Sequence, residues 1–140
     1  MATTPESLLN HAGLRKTRSR EAVLSLFLQK PIALAHGDLE SALPAYDRVT
    51  LYRTLNTFLE HGLLHKVVDD GALVKYAISH TAKGAEKAHD HAHHHVHFKC
   101  SLCQTTQCLE QVTLPSVVLP EGYTVQEENL LLVGICPRCS

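Results

Sequence analysis

Two Cys-x-x-Cys pairs limit what this chain can fold into more than any other feature. Cys100 and Cys103 form the first pair and Cys136 and Cys139 the second, with 32 residues between them in a chain of 140. A CxxC turn lets two thiolates reach one ion, and four thiolates make a closed tetrahedral shell for Zn²⁺. A module of about 60 residues, the length of the second half of the chain, buries too little core to be stable alone and needs a metal or a partner. The pattern predicts a structural zinc site.

The segment between the two pairs is longer than the usual spacing of a compact zinc ribbon. We therefore expect it to have secondary structure of its own: a strand, a helix from Pro115 and a second strand ending at Gly134. Residues 130–133 are apolar at consecutive positions, which predicts a strand covered on both faces. We expect a second subunit to provide part of that cover.

The cellular compartment of a protein decides whether its cysteines stay reduced or form disulfides. Residues 1–10 lack the basic and apolar regions of a secretory signal, and no segment has the roughly 18–20 apolar residues of a membrane span. We predict a cytoplasmic protein with no membrane partner. Reduced cysteines in that compartment bind metal more often than they form disulfides, so two disulfides are the less favoured alternative.

Histidine is concentrated just before the first cysteine pair, with seven of the 11 histidines between His80 and His97. On a strand, His95 and His97 share one face while Cys100 has the other parity, which indicates a metal separate from the four-cysteine site. Imidazole suits Zn, Fe, Ni and Cu alike. Cys108 is the natural thiolate addition, although a lone cysteine is also common as a small buried apolar residue.

The first half of the chain has a different pattern. Apolar spacing, caps and glycine or proline stops predict helices over residues 5–12, 17–29, 37–43 and 47–61. After Gly62 the period changes to two, and residues 64–69 and 73–78 flank an Asp-Gly turn that predicts a hairpin. Helices followed by a hairpin indicate a winged helix-turn-helix domain. A small α+β module without a nucleic-acid partner is the alternative.

Basic residues in this half indicate DNA as the partner. Arginine and lysine neutralise phosphates, while Thr50, Tyr52 and Thr54 on the fourth helix would meet base edges or thymine methyl groups. A solvated charged face is the alternative, and the isoelectric point of 6.8 is low for a DNA-binding domain. Affinity would therefore depend on dimerisation or a bound cation. The basic residues are Arg15, Lys16, Arg18, Arg20, Arg48 and Arg53.

Taken together, these motifs resemble the Fur family of metal-responsive bacterial repressors over nearly the whole chain. The matching segments are residues 13–20, 47–55, 61–64, 95–103 and the terminal CxxC. The resemblance implies an α+β fold with an N-terminal winged helix-turn-helix DNA-binding domain and a small C-terminal α/β dimerisation domain. It places the first domain at residues 1–79, a His-rich hinge at 80–94 and the metal-binding dimerisation domain at 95–140.

The resemblance also implies residue roles. Tyr52 matches a base-contacting tyrosine, Arg53 a phosphate contact, Arg15 a minor-groove contact and Arg20 a backbone contact; Lys16 and Thr50 belong to the same expected interface. The four CxxC cysteines match structural zinc ligands. His95 and His97 match histidines of the regulatory metal site.

Two departures from the family pattern bear on the sensed metal. Cys108 stands where the family commonly has a carboxylate, and thiolate in its place favours Zn²⁺ over Fe²⁺ or Mn²⁺. Ala33 stands where many members have a histidine, and His36, one turn later, is the expected replacement. His89 or His91 is expected to supply a further ligand from the linker.

The sequence thus predicts a zinc-responsive repressor that binds palindromic double-stranded operator DNA as a homodimer when a regulatory metal is bound. An iron-responsive or peroxide-sensing regulator of the same family is the runner-up, and a zinc-buffering or metallochaperone module is a more distant alternative. The chain has no HExxH, GxSxG or GxxxxGK[ST] motif. We expect neither enzyme activity nor a small organic substrate.

Overall fold

The computed structural model describes residues 3–67, 70–79, 96–109, 112, 114–126 and 128–140. The first part of the chain forms four helices and a three-stranded sheet, and the last part forms a second three-stranded sheet. None of the described helices is long and apolar enough to cross a bilayer. The helices are α1 (Pro5–His11), α2 (Arg18–Gln29), α3 (His36–Ala42) and α4 (Arg48–Glu60); the strands are β1 (Leu34–Ala35), β2 (Leu64–Val67), β3 (Lys75–Ile78), β4 (Val96–Cys100), β5 (Thr106–Leu109) and β6 (Leu130–Gly134).

Local chemistry explains where the helices begin and end. The Thr17 hydroxyl accepts the backbone N–H of Arg20 at 3.2 Å and caps α2, and the Asp47 carboxylate accepts the N–H of Thr50 at 2.7 Å and caps α4. Gly13 follows α1 with a φ of 72°, a conformation that glycine adopts without steric cost. All four helices lie within about a residue or two of the predicted ranges.

The first sheet has the strand order β1-β3-β2 and is antiparallel throughout. Its two faces separate by residue parity, as a pleated sheet requires. Leu64, Tyr76 and Ile78 pack into a core with the helices, while Val67 and Ala77 belong to a smaller cluster on the other face. The two-residue strand β1 was not predicted, because two residues carry no detectable period.

The second sheet has the order β5-β4-β6, with β4 antiparallel to β5 and parallel to β6. The register places His97 opposite Cys108 and Cys100 opposite Gly134. The helix predicted from Pro115 is wrong, because the described residues 114–126 contain no helix. Pro115 and Pro120 leave too few residues between them to nucleate one, and two of those residues are β-branched valines.

The two sheets face each other across direct contacts. The Ala33 N–H donates to the carbonyl of Thr106 at 2.6 Å, and the Lys75 ammonium donates to the Thr106 hydroxyl at 3.3 Å. Lys99 forms an ion pair with Asp70. These contacts bring one face of β4 and β5 against the face of β2 and β3 that points away from the helices. The predicted boundaries at residues 79 and 95 stay a prediction, since the hinge at 80–94 lies outside the described residues.

Candidate metal centres and nucleic-acid interface

Two groups of side chains have the composition of metal sites. Within the described ranges, the ligand atoms of each group all lie within 4.8 Å of one another. The first group is the four cysteines of the CxxC pairs. The second combines His65, His97 and Cys108.

The four-cysteine cluster is assembled by the parallel pairing of β4 and β6. Cys100 ends β4 and Cys136 is the second residue after β6, so the register of the two strands brings both turns to the same end of the sheet. Ser101 ties the turns together, because its N–H and its hydroxyl donate to the carbonyl of Gly134 at 2.7 and 3.1 Å. Gln104 closes the first turn with a φ of 64°. None of the five cysteines, all of which lie in described ranges, forms a disulfide.

Backbone groups around Cys100 favour its thiolate form. The N–H groups of Cys103 and Cys136 point at its sulfur from 3.5 and 3.4 Å, and these hydrogen bonds lower the pKa of Cys100 to about 6. The Thr105 hydroxyl, 3.0 Å from the Cys103 sulfur, lowers the pKa of Cys103. A hydrogen bond with Cys136 raises the pKa of Cys139 to about 12. Metal binding here would therefore displace the proton of Cys139.

The spacing of the sulfurs fits zinc. Tetrahedral zinc–sulfur bonds place neighbouring sulfurs roughly 3.8 Å apart, and Cys103 and Cys136 are 3.9 Å apart. Cys100 and Cys136 are buried, which keeps water from replacing them as ligands. The four-cysteine zinc site expected from the sequence is thus a preformed shell whose donors and dimensions match the ion.

The second cluster lies where the two sheets face each other. His97 on β4 and Cys108 on β5 are cross-strand partners, and His65 comes from β2 of the other sheet. The two imidazole rings stack at a centroid distance of 5.9 Å and an interplanar angle of 29°. The nitrogen Nε2 of His65 lies 3.5 Å from the sulfur of Cys108. Both histidines are almost completely buried.

This donor set also fits a tetrahedral transition metal. Nitrogen and sulfur ligands of zinc are separated by roughly 3.3–3.8 Å, and the contact between His65 and Cys108 falls in that range. The ligand atoms of the remaining pairs lie within 4.8 Å of each other. Side-chain shifts shorter than a zinc–ligand bond would therefore bring all three atoms to bonding distance of one ion. An ion held here would join the helical part of the chain to the second sheet.

His65 is the one candidate ligand of this cluster that the sequence did not predict. The hairpin around it was predicted, but the partner of its second face was not, because nothing local indicates which sheet packs there. Its parity was the available signal: Leu64 packs into the helical core, which directs His65 to the opposite face. Cys108 and His97 were predicted, and the structure brings them together.

Of the other predicted regulatory ligands, the structure describes only His36, and it lies away from this cluster. His36 begins α3, where its nitrogens lie 3.1 Å from a carboxylate oxygen of Glu40 and 3.3 Å from the carbonyl of Arg48. The structure does not bring it to the cluster of His65, His97 and Cys108. His89, His91 and His95 fall outside the described residues.

The predicted DNA-contacting side chains lie on and beside α4. Tyr52 is 55% exposed and Arg53 is exposed, while the leucines one face away are buried in the helical core. Thr50 is half-buried near the capped start of the helix. The expectation that Thr54 meets base edges is wrong, because Thr54 is buried and its hydroxyl donates to the carbonyl of Thr50 at 2.8 Å. The Asp47 cap, whose hydrogen bonds with Thr50 lower its pKa, holds that start in place.

The basic residues before α2 have partners in the protein. Arg20 donates to the carbonyl of Arg15 at 2.7 Å, which orders the turn leading into the helix. Lys16 is exposed and lies 3.7 Å from Glu6 and 3.5 Å from Glu21. Exposed pairs of this kind are weak, so phosphates can replace them at little cost.

The sequence is similar to curated transcriptional regulators over almost its full length, although no family model matches it. It is 27% identical over 136 residues to the transcriptional regulator FurA of Mycobacterium tuberculosis, covering 94% of this chain and 87% of that protein. It is 26% identical over 156 residues to the ferric uptake regulation protein of Synechococcus elongatus, covering 99% and 94%. Neither relative is named as an enzyme.

Solved structures share the fold. A zinc uptake regulator complexed with zinc and DNA matches with a TM-score of 0.62 and 23% identity, covering 99% of this chain and 96% of that one. The holo form of XcZur matches with a TM-score of 0.63 and 21% identity, covering 96% and 92%. The mixed α and β architecture expected from the sequence is confirmed.

Proposed function

We infer that the chain belongs to the Fur family of metal-responsive transcriptional regulators, and we propose that it represses transcription in response to zinc. Full-length similarity to two named regulators of this family supports the assignment. The shared fold and the four-cysteine shell are consistent with it. The family alone leaves the metal open, because its members respond to different ions.

The observation that carries the proposal is the position of the His65–His97–Cys108 cluster. One ligand lies on the hairpin that follows α4, and two lie on the second sheet. A metal that binds all three stabilises only the arrangement in which the sheets face each other. By linkage, it shifts the population towards that arrangement in proportion to its difference in affinity for the two states. The orientation of α4 then depends on metal.

The donor set favours zinc as the sensed ion. Two imidazoles and a thiolate are softer than the nitrogen and carboxylate sets preferred by Fe²⁺ and Mn²⁺. Zinc reaches four-coordination with one further ligand, and the histidines at 89, 91 and 95 are the sequence-based candidates for that position. In this proposal His36 does not bind metal.

Apolar surface on the second part of the chain supports a homodimer. The exposed fractions of Val117, Val118 and Tyr123 are 67%, 93% and 69%, and those of Leu132 and Val133 on β6 are 44% and 54%. Large apolar side chains exposed in this number are consistent with an interaction site on a folded domain. Two copies joined there would present two α4 helices to the half-sites of a palindromic operator.

On DNA, α4 enters the major groove. Tyr52 and Thr50 face base edges, and Arg53 contacts phosphate. Arg15, Lys16 and Arg20 contact the backbone and the adjacent groove. The cytoplasm is the corresponding location.

A selection experiment tests the proposal. Zinc-loaded protein selects duplexes from a random-sequence pool, and binding of the selected duplex is followed by fluorescence anisotropy across buffered free Zn²⁺ and, anaerobically, Fe²⁺. We expect zinc to strengthen binding about tenfold to a hundredfold, the usual range for coupled sites. His65→Ala should lose that response and still bind one zinc per chain at the four cysteines.

His11→Ala is the matched control, since His11 is an exposed histidine at the end of α1 and should leave the response unchanged. Zinc binding without any selected DNA would support the zinc-buffering alternative instead. A response to Fe²⁺ at free concentrations where Zn²⁺ has none would support the iron-responsive or peroxide-sensing alternative. Either result contradicts the proposal.

A further inference from the structure

His36 connects the two helices of the helix-turn-helix. It is the first residue of α3, and its nitrogen Nδ1 lies 3.1 Å from the Oε1 oxygen of Glu40 one turn further along. Its Nε2 lies 3.3 Å from the carbonyl oxygen of Arg48, the first residue of α4. Its ring meets the ring of Tyr52 edge-on, at a centroid distance of 6.0 Å and an interplanar angle of 68°.

Both polar atoms of this ring are therefore directed at acceptors inside the helix pair. A carbonyl oxygen and a carboxylate oxygen only accept hydrogen bonds, so a ring nitrogen donates in whichever of these contacts it makes. A ring nitrogen that donates has no lone pair for a metal. This arrangement fits a side chain that holds α3 and α4 together better than it fits the metal ligand predicted from the sequence.

Glu40 also connects α3 with the start of α4. Its Oε1 oxygen also lies 3.3 Å from Nε of Arg48, so one carboxylate contacts both His36 and the start of α4. The Arg48 side chain is 82% exposed while that of His36 is 21% exposed. The ring is thus the sheltered member of the group, held by contacts to its own helix and to the next.

We propose that His36 is a positioning residue for DNA reading, which holds the Tyr52 ring in its binding orientation. The proposal rests on the DNA-binding function proposed above. Tyr52 is largely exposed, and an exposed aromatic side chain loses rotamer freedom when it docks on DNA. An edge-to-face contact with an anchored imidazole removes part of that freedom beforehand. His36 acts through Tyr52 and does not touch the bases.

A double-mutant cycle tests this assignment on the full-length, zinc-loaded protein. The variants are His36→Ala, Tyr52→Ala and the double variant, with His11→Ala as the control. The probe is the duplex selected by the wild-type protein, and a scrambled duplex measures non-specific binding. Zinc content per chain and thermal unfolding are measured for each variant.

We expect His36→Ala to weaken binding to the selected duplex about tenfold, within the range measured for residues in contact. On the Tyr52→Ala background the same change should cost about twofold or less, because the residue it positions is gone. Binding to the scrambled duplex and zinc content should be unchanged. A merely structural role for His36 would instead cost the same factor on both backgrounds.

Equal losses on both backgrounds, or an unchanged affinity in His36→Ala, would overturn the inference. Loss of a zinc ion in His36→Ala would support the metal-ligand role that the sequence predicts for His36, and it would also overturn the inference. In each of these three outcomes the wild-type protein still binds the selected duplex in response to zinc. A wild-type protein that selects no duplex would instead contradict the proposed function, and with it this inference.

Discussion

The two cysteine-containing clusters differ in whether their candidate ligands come from one sheet or from two. Both pairs of the four-cysteine cluster are CxxC turns, joined by adjacent strands of a single sheet. The other cluster takes His65 from one sheet and His97 and Cys108 from another. A site within one sheet can only stabilise that sheet. A site between sheets can change how they are arranged, which is the requirement for a metal sensor.

Removing the four-cysteine site should have the largest effect. Cys100→Ser takes away the sulfur that receives two backbone N–H groups. Structural zinc binding is worth about 10–16 kcal/mol in small domains, which is comparable to the entire stability of a domain. We expect one zinc fewer per chain and loss of the cooperative thermal transition of the second sheet, measured by metal analysis and circular dichroism.

Cys108→Ser is the matched control for that experiment, because it removes a cysteine from the other cluster. It should retain the cooperative transition and the zinc of the four-cysteine site. If Cys100→Ser unfolds like the wild-type protein, the four-cysteine cluster does not hold the second sheet together.

Chelators of increasing strength should remove the metal of the His65–His97–Cys108 cluster before that of the four-cysteine cluster. The His65–His97–Cys108 cluster offers three described candidate ligands and lies between sheets, so a moderate chelator should remove its metal first and abolish DNA binding. A stronger chelator is needed for the closed four-thiolate shell, whose loss should unfold the second sheet. Zinc release and DNA binding are followed together by a colorimetric indicator and anisotropy. Simultaneous loss of both ions would show that the two sites are not independent.

Replacing the thiolate should alter the metal preference of the cluster between the sheets. In Cys108→Asp a harder oxygen ligand takes the place of sulfur. We expect the ratio of zinc to iron affinity to fall by about tenfold or more, while the four-cysteine site keeps its zinc. Competition between buffered Zn²⁺ and Fe²⁺ measures the ratio, and an unchanged ratio would remove the main chemical argument for zinc.

The ion pair between the sheets should contribute least. The Lys99 side chain is 11% exposed and that of Asp70 is 56% exposed, and partly exposed pairs are worth about 0.2–1 kcal/mol. Asp70→Asn should therefore weaken metal binding at the cluster by no more than about fivefold at low salt, and by less at high salt. Glu60→Gln, at the exposed end of α4, is the control. Isothermal titration at two salt concentrations measures the difference, and a larger effect would mean that the pair holds the sheets together itself.

The features predicted best from the sequence are those set by residues only a few positions apart. The helix caps at Thr17 and Asp47 act over three residues, and both helices begin where these residues predict. Strand β6 was also predicted, because its apolar run is local. The helix from Pro115 was wrong, since proline at a first helical position is favourable but two prolines and two valines within six residues leave no helix to start. The strand β1 has no local signal at all.

The sequence alone determined the four-cysteine site, since each CxxC pair already places two sulfurs within reach of one ion. It also determined the helix-turn-helix, whose caps and apolar period are local properties. Only the tertiary structure decided that His65 joins His97 and Cys108 while His36 lies against α4. Both histidines were visible in the sequence, but the choice between them depends on which face of the first sheet meets the second. That packing is set by contacts between residues more than 30 positions apart, such as Ala33 with Thr106, and no local pattern encodes it.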